Sequence, residues 1–210
     1  LPTAISEKVA EQIDALVAPA IAYGYKSQQK SGGGHHMPGT PNLDGITLTN
    51  TIKDILKEFA RHGVRNVVMV NGHFENSMFI TEGVDLAIRE LRWEGIRDFS
   101  VVILSYWDYV TEETIREIYP YGFPGWAMEH GGVLETSLML HLHPHLVDMS
   151  KVVDQEPATF PPYDFFPVKP EWTPCSGCLS SAKPASAQKG KLLFEVCVKG
   201  IAEQLKVAFK

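Results

Sequence analysis

The sequence lacks the features of several protein classes. No stretch approaches the roughly 20 consecutive apolar residues that span a membrane, so we expect no membrane-spanning helix. No block of lysine and arginine accompanies the formal net charge of −6, which gives no reason to expect a nucleic-acid interface. Three cysteines in 210 residues are too few for a disulfide framework. We therefore expect a protein of the reducing cytoplasm.

Two of these cysteines, Cys175 and Cys178, form a CxxC pair in a loop rich in proline and serine. A zinc or redox role normally comes with a second such pair or with a strand-to-helix context. The sequence around this loop offers neither. A surface pair of thiols is the favoured interpretation, with a zinc or redox site as the alternative.

What the sequence does contain is an alternation of strand and helix patterns, over a length that suits a single domain, residues 1–210. Consecutive apolar residues predict buried strands at residues 17–24, 67–70 and 99–107. Apolar residues at helical spacing predict helices after Thr3, after Thr49 or Asn50, after Asn76 or Ser77, between residues 129 and 144, and over residues 192–209. The aromatic stretch after residue 107 is expected to be irregular, and residues 152–190 to wrap the surface. This order predicts an α/β layered fold with a mainly parallel sheet.

The first candidate site lies in MVNGHFENSMF, where His73 and Glu75 stand two residues apart just past a predicted strand. Ligands of such sheets bind beyond the carboxyl ends of the strands, and imidazole and carboxylate are ligands for Zn²⁺ or Mn²⁺. A polar turn is the simpler alternative, although the position at a strand end favours a metal. A catalytic zinc usually has three protein ligands, and no third one stands out at a strand end.

A second candidate is Glu129-His130-Gly131-Gly132, just before a predicted helix. Here His130 can be a metal ligand or a general acid. An exposed histidine beside an N-terminal helix cap fits the pattern equally well.

The glycine-rich segment that runs from Ser31 to His36, SGGGHH, matches no nucleotide-binding motif. It can be a loop whose backbone amides bind an anionic group or a solvated linker. The sequence HHMPG, which begins at His35, favours an ordered turn. Trp107 and Trp126 can close over a small planar ligand or pack in the core.

Five stretches together resemble the creatininase family: YGYKSQQKSGGGHHMPGT, MVNGHFENSMF, LSYWDYV, GFPGWAMEHGGVLETSLML and PATFPPYDFFPV. The resemblance covers essentially the whole chain. It implies a three-layer α/β/α domain that assembles as a homohexamer. It also implies an active site with a binuclear Zn/Mn centre. The implied activity is the reversible hydrolysis of the cyclic amide of creatinine to creatine.

The resemblance also assigns roles to particular residues. His73 and Glu75 match metal ligands, one on each metal, and Glu75 counts among the catalytic groups. His130 matches the histidine that contacts the substrate and protonates the departing ring nitrogen. Trp126 matches a tryptophan that moves over bound substrate, and Trp107 an aromatic wall of the pocket.

Ser31 matches a residue at the carboxylate end of the substrate, and Phe74 a pocket residue. The sequence departs from the family at Phe74, where the family has tyrosine, and at Ala127, where it has an acidic residue. Both changes remove polar groups near the substrate.

The remaining metal ligands of the family lie upstream of the first helix, in an EQHGHH-like segment and a following aspartate. This chain starts at that helix. We therefore expect the 210 residues to lack one strand and part of the metal site, and to be inactive by themselves.

Two other functions remain open. One is a related hydrolase acting on another cyclic or formylated amide. The other is a non-catalytic homologue that binds no metal.

Overall fold

The computed structural model describes residues 1–34 and 36–210. His35, part of the HHMPG turn expected from the sequence, lies outside the described residues. Within these ranges the helices are α1 (Pro2–Ile13), α2 (Gly45–Arg61), α3 (Ser77–Trp93), α4 (Glu112–Ile118), α5 (Val133–Leu142) and α6 (Ala187–Ala208), and the strands are β1 (Asn66–Asn71) and β2 (Ser100–Ser105).

β1 and β2 pair in parallel, with Val67 opposite Val101, and α3 forms the crossover that parallel strands require. Successive side chains of a strand point to opposite faces. Val68 therefore packs into one apolar core, whereas Val67 and Met69 pack into the other. Both faces of the sheet are covered, as the consecutive apolar residues of β1 predicted.

Two helical layers enclose the sheet. On one face, α2 and α3 pack through a core that includes Leu48, Ile52, Ile80 and Leu91. On the other face, α1, α5 and α6 form the larger core. This arrangement confirms the three-layer α/β/α fold.

The helices α5 and α6 pack closely at Gly190. A Cβ atom at this position would lie 1.9 Å from the carbonyl oxygen of Ser137 and 2.8 Å from the Cβ of His141. Leu138 and Leu193, which pack in the same core, are fully buried. The close packing of these two helices thus depends on a residue without a side chain.

The helices α2 and α3 also share an ion-pair ladder on their outer surface. Lys57 bonds to Glu90 and lies 3.1 Å from Glu94 Oε1, which is 2.6 Å from Arg61 Nη2. The hydrogen bonds from Arg61 and Lys57 lower the pKa of Glu94 to about 2.

The expected strand at residues 17–24 is wrong. The described backbone there is extended but belongs to no strand, and the nearby pairing is an isolated bridge between Tyr25 and Leu43. Leu16 lies beyond α1 and is fully exposed. Apolar residues alone do not make a strand when no neighbouring strand pairs with their backbone groups.

The irregular stretch expected after residue 107 also proved wrong in part, because α4 forms there. Its N-cap is Thr111, whose hydroxyl accepts a hydrogen bond from the Thr114 backbone amide at 3.2 Å. The β2 strand ends at Ser105, so that Trp107 lies in the following 3₁₀ turn, Tyr106–Tyr109.

Two predicted helix starts shift as well. Proline suits the first helical position because it needs no backbone donor there. Accordingly α1 begins at Pro2 with Leu1 as N-cap, instead of after Thr3, and α2 follows Asp44 instead of Thr49 or Asn50. No helix in the described ranges is both long enough and apolar enough to cross a membrane.

Candidate functional site

The site forms where β1 ends and the chain turns into α3. The buried Asn71 organises this turn: its Oδ1 accepts hydrogen bonds from the His73 backbone amide at 3.1 Å and from Asn76 Nδ2 at 3.3 Å. Its Nδ2 lies 3.1 Å from Ser77 Oγ and 3.4 Å from Ser105 Oγ at the end of β2. The position of His73 is thus tied to the carboxyl ends of both strands.

Glu75 supplies a buried carboxylate next to His73, with a side chain only 9% exposed. One oxygen, Oε1, accepts hydrogen bonds from the Gln28 backbone amide at 2.6 Å and from the Ser31 hydroxyl. The other oxygen, Oε2, is buried and has no hydrogen-bond partner among the described residues. It lies 3.4 Å from Nδ1 of His73. A buried carboxylate oxygen without a donor is costly unless a cation occupies the adjoining space.

His73 lies between Glu75 and His130. Its ring is nearly perpendicular to that of His130, with centroids 5.5 Å apart. Burial lowers the pKa of His73, and the nearby His130 lowers it further, whereas Glu75 acts in the opposite direction. Burial thus favours the neutral imidazole, which is the form that binds metal.

His130 comes from the loop before α5 and packs against the glycine-rich segment. A Cβ atom on Gly32 would lie 2.2 Å from His130 Cδ2 and 2.3 Å from the carbonyl oxygen of Gly177. Gly32 also has a positive φ of 75°, a conformation that glycine adopts readily. The glycine-rich segment therefore packs closely against His130. A 3₁₀ turn, Gln29–Ser31, leads into this segment.

The two tryptophans predicted to line the pocket lie in 3₁₀ turns. Trp126 is half-exposed and packs edge-on against Phe123, with ring centroids 5.2 Å apart; its turn, Trp126–Met128, contacts the turn that contains Ser31. Trp107 follows β2 and packs against Tyr106 at 5.1 Å. Phe74 is 72% exposed beside the two predicted ligands.

The donor set of this cluster fits a divalent metal in part. His73 offers an imidazole nitrogen and Glu75 an unbonded carboxylate oxygen, and zinc and manganese accept both types of ligand. Within residues 1–34 and 36–210, no group of three histidine, cysteine, aspartate or glutamate side chains is arranged to hold a metal. The structure thus brings together Ser31, His73, Glu75 and His130, with two candidate ligands where a catalytic zinc usually has three.

The sequence analysis did not predict the contacts of two carboxylates near His130, Glu129 and Glu135. Glu129, treated as part of a capping motif, accepts a hydrogen bond from the Leu134 backbone amide at 2.7 Å and another from the Tyr119 hydroxyl. Burial raises its pKa. Glu135 accepts a hydrogen bond from the Gly131 backbone amide at 2.6 Å. The position of Glu135 in the first turn of a predicted helix indicated a contact with the helix N-terminus. It did not indicate which backbone amide Glu135 would bind.

Of the two CxxC cysteines, Cys178 lies beside the loop of His130, since a Cβ atom on Gly131 would lie 2.9 Å from its Sγ. Cys175 is exposed and Cys178 half-buried, and both thiols are free.

Comparison with known proteins gives consistent matches. The family model Creatininase, described as creatinine amidohydrolase, matches residues 1–205. The creatinine amidohydrolase of Pseudomonas putida is 63% identical over 210 residues, which cover 100% of this chain and 81% of that protein.

Solved structures of creatininases are similar over nearly the whole chain. A mutant in a Zn–Zn form has a TM-score of 0.97 at 63% identity, covering 99% of this chain and 81% of that one. A manganese form has a TM-score of 0.98 at 63% identity, covering 100% and 82%. A mutant complexed with creatine has a TM-score of 0.97 at 63% identity, covering 99% and 82%.

Proposed function

Because this chain belongs to the creatininase family, whose model matches residues 1–205, we propose that it is a metal-dependent amidohydrolase that opens the cyclic amide of creatinine to creatine, reversibly. The observation that carries the proposal is the buried, unbonded Oε2 of Glu75 beside His73 and His130. The likeness to a creatininase complexed with creatine supports the substrate class.

In this proposal His73 and Glu75 hold the metal, and the similar creatininases in Zn–Zn and manganese forms support zinc and manganese as the ions. A divalent metal bound there would supply Lewis acidity toward the amide carbonyl oxygen. Ser31 and the Gln28 amide orient Glu75 by bonding to its Oε1, which leaves Oε2 available to bind a metal ion. Such outer contacts typically change metal affinity by about 10–100-fold when they are lost.

His130 acts as the proton donor to the departing ring nitrogen. Its imidazole lies 5.5 Å from the ring of His73, close enough to contact a small substrate held at the same place. Trp126 lies at the rim, half-exposed, where it can cover the substrate and exclude water. Trp107 and Phe74 contribute aromatic surface, and Ser31 lies at the carboxylate end of the substrate.

The role of His130 can be tested with His130→Ala in the full-length, metal-loaded protein. Loss of general acid catalysis should lower kcat for creatinine hydrolysis by about 10²–10⁴-fold. Metal content, measured by atomic emission spectrometry, should not change. A simultaneous loss of metal would instead make His130 a ligand.

The substrate itself is tested by comparing turnover of creatinine, creatine, other lactams and formamides. Phe74→Tyr and Ala127→Asp are matched variants for this comparison, since each restores a polar group that the family has near the substrate. Creatinine should be the preferred substrate of the wild type. Preference for another lactam or a formamide would support the related hydrolase, and less than one tightly bound metal per chain would support the non-catalytic homologue.

We further propose that the protein is a homohexamer, as the family resemblance implies, and that it resides in the cytoplasm, as its few cysteines indicate. Light scattering coupled to gel filtration measures the assembly directly. A stable monomer or dimer would contradict this part of the proposal.

A further inference from the structure

The peptide unit between His130 and Gly131 is held at both of its polar ends. Its carbonyl oxygen, that of His130, accepts a hydrogen bond from the Leu179 backbone amide at 2.9 Å. Its N–H, that of Gly131, donates to Glu135 Oε2 at 2.6 Å. We propose that Glu135 is a positioning residue that fixes the imidazole of His130 toward His73 and Glu75. This inference rests on the proposed role of His130 as proton donor.

The loop needs such a restraint because its own residues provide little. Gly131 has a positive φ of 62°, and Gly132 is the N-cap of α5 without a side chain to cap it. Glycine has access to more backbone conformations than other residues, so the two glycines leave the direction of His130 open. With both ends of the peptide bonded, the His130 ring is held against Gly32 and 5.5 Å from the His73 ring.

Glu135 is well suited to this task because its own helix is anchored. It lies in the first turn of α5, next to the buried Leu134, and Leu138 one turn further on is fully buried. The positive end of a helix dipole favours a carboxylate in this turn. A hydrogen bond from an amide to a charged carboxylate is also stronger than one to a neutral acceptor.

The neighbouring carboxylate, Glu129, makes other contacts. Its Oε1 bonds to the Leu134 amide and its Oε2 to the Tyr119 hydroxyl. It therefore links α5 to the segment after α4. In the described structure Glu135 is the side chain that bonds to the Gly131 amide.

The experiment compares Glu135→Ala with Glu135→Gln in the full-length, metal-loaded protein. Alanine removes the acceptor, whereas glutamine keeps an amide oxygen that can accept the Gly131 hydrogen bond. Because a misplacement of about 1 Å can cost about 10²-fold in rate, kcat of Glu135→Ala should fall by about 10–10²-fold. KM for creatinine and metal content should stay within about threefold, and Glu135→Gln should recover most of the lost kcat.

A second readout does not depend on turnover. Hydrogen–deuterium exchange of the peptide that contains Gly131 and Gly132 should become faster in Glu135→Ala and remain near the wild-type rate in Glu135→Gln. Thr136→Val is the matched control, because the Thr136 hydroxyl bonds to the neighbouring carbonyl of Gly131 at 3.3 Å. This variant should keep kcat within about threefold of the wild type.

Several results would overturn the assignment. Equal losses of kcat in Glu135→Ala and Glu135→Gln would show that the charge of Glu135 matters, not its hydrogen bond. Unchanged exchange at Gly131 in Glu135→Ala would show that the restraint does not exist. A loss of kcat in Thr136→Val as large as that in Glu135→Ala would assign the effect to the loop as a whole. If the wild type does not hydrolyse creatinine, the proposed function fails, and the exchange comparison alone decides whether Glu135 restrains the loop.

Discussion

Gly190 offers the sharpest test of the packing, because local and tertiary considerations predict opposite effects of Gly190→Ala. In a helix interior, alanine is more favourable than glycine by about 0.8–1.0 kcal/mol. Judged from α6 alone, the substitution should stabilise the protein. The structure instead places the added methyl carbon 1.9 Å from the Ser137 carbonyl oxygen, which belongs to the backbone of α5.

An ordinary contact of this kind is about 3.4 Å, so α5 and α6 would have to separate locally by roughly 1.5 Å. A gap of about 0.5–1 Å already forfeits a quarter to a half of the dispersion energy of each contact, and fully buried side chains such as Leu138 and Leu193 share this core. Overpacking costs about 1–3 kcal/mol, or more where a backbone must move. We expect a cost of about 3–5 kcal/mol, which leaves a net destabilisation of about 2–4 kcal/mol after the gain in helix propensity.

Urea unfolding followed by circular dichroism measures this difference, at fixed protein and metal concentration because both affect the apparent stability. Gly200→Ala in the same helix is the matched control. Its added methyl carbon would meet a side chain, the ring of Tyr109 at 2.9 Å, which can shift more easily than a backbone. The control should stay within about 1 kcal/mol of the wild type, since strain and helix propensity nearly offset each other. A Gly190→Ala protein as stable as the wild type would refute the reasoning.

Three further predictions concern the site, the surface and the thiols. Gly32→Ala should displace His130 and lower kcat by about 10²-fold without loss of metal, because the new methyl group would overlap the imidazole; steady-state kinetics and metal analysis check this. The pKa of Glu94 falls from 4.5 to about 2 on folding, so its contribution to stability is present above pH 4.5 and is lost as the pH falls toward 2. In Glu94→Gln the melting temperature should therefore decline less between pH 5 and pH 2 than it does in the wild type. A thiol reagent at pH 8 should modify the exposed Cys175 rapidly but reach Cys197 only after unfolding, because burial raises the pKa of the Cys197 thiol to about 12; mass spectrometry of the labelled peptides distinguishes the two.

Local pattern was sufficient for most of the secondary structure. The apolar spacing of α2, α3 and α6 and the consecutive apolar residues of β1 and β2 predicted these elements, with shifts of a few residues at their ends. The apolar pattern gave a wrong prediction where strand formation depends on a neighbouring strand that supplies hydrogen bonds. Residues 17–24 are apolar enough for a strand, yet no strand in the described part of the chain pairs with them.

For the candidate site, the sequence predicted some of the residues but not the hydrogen bonds that position them. His73 and Glu75 could be found because they lie two residues apart directly after a strand, and a strand end is where such sheets bind ligands. The sequence could not predict the hydrogen bond from Ser31 to Glu75 or the one from the Gly131 amide to Glu135. The first joins residues 44 positions apart, and the second depends on how the loop before α5 is folded.

The sequence by itself therefore determined the class of fold, the family and the residue types available for chemistry, because periodicity and motifs are local properties of the chain. Only the tertiary structure decided which oxygen of Glu75 is left without a donor and which carboxylate restrains His130. The first depends on a 2.6 Å hydrogen bond between Gln28 and Glu75, which lie 47 positions apart, and the second on a 2.6 Å hydrogen bond within the folded loop before α5. Spacing along a chain does not specify such distances, because they follow from how α5, α6 and the loops pack against the sheet.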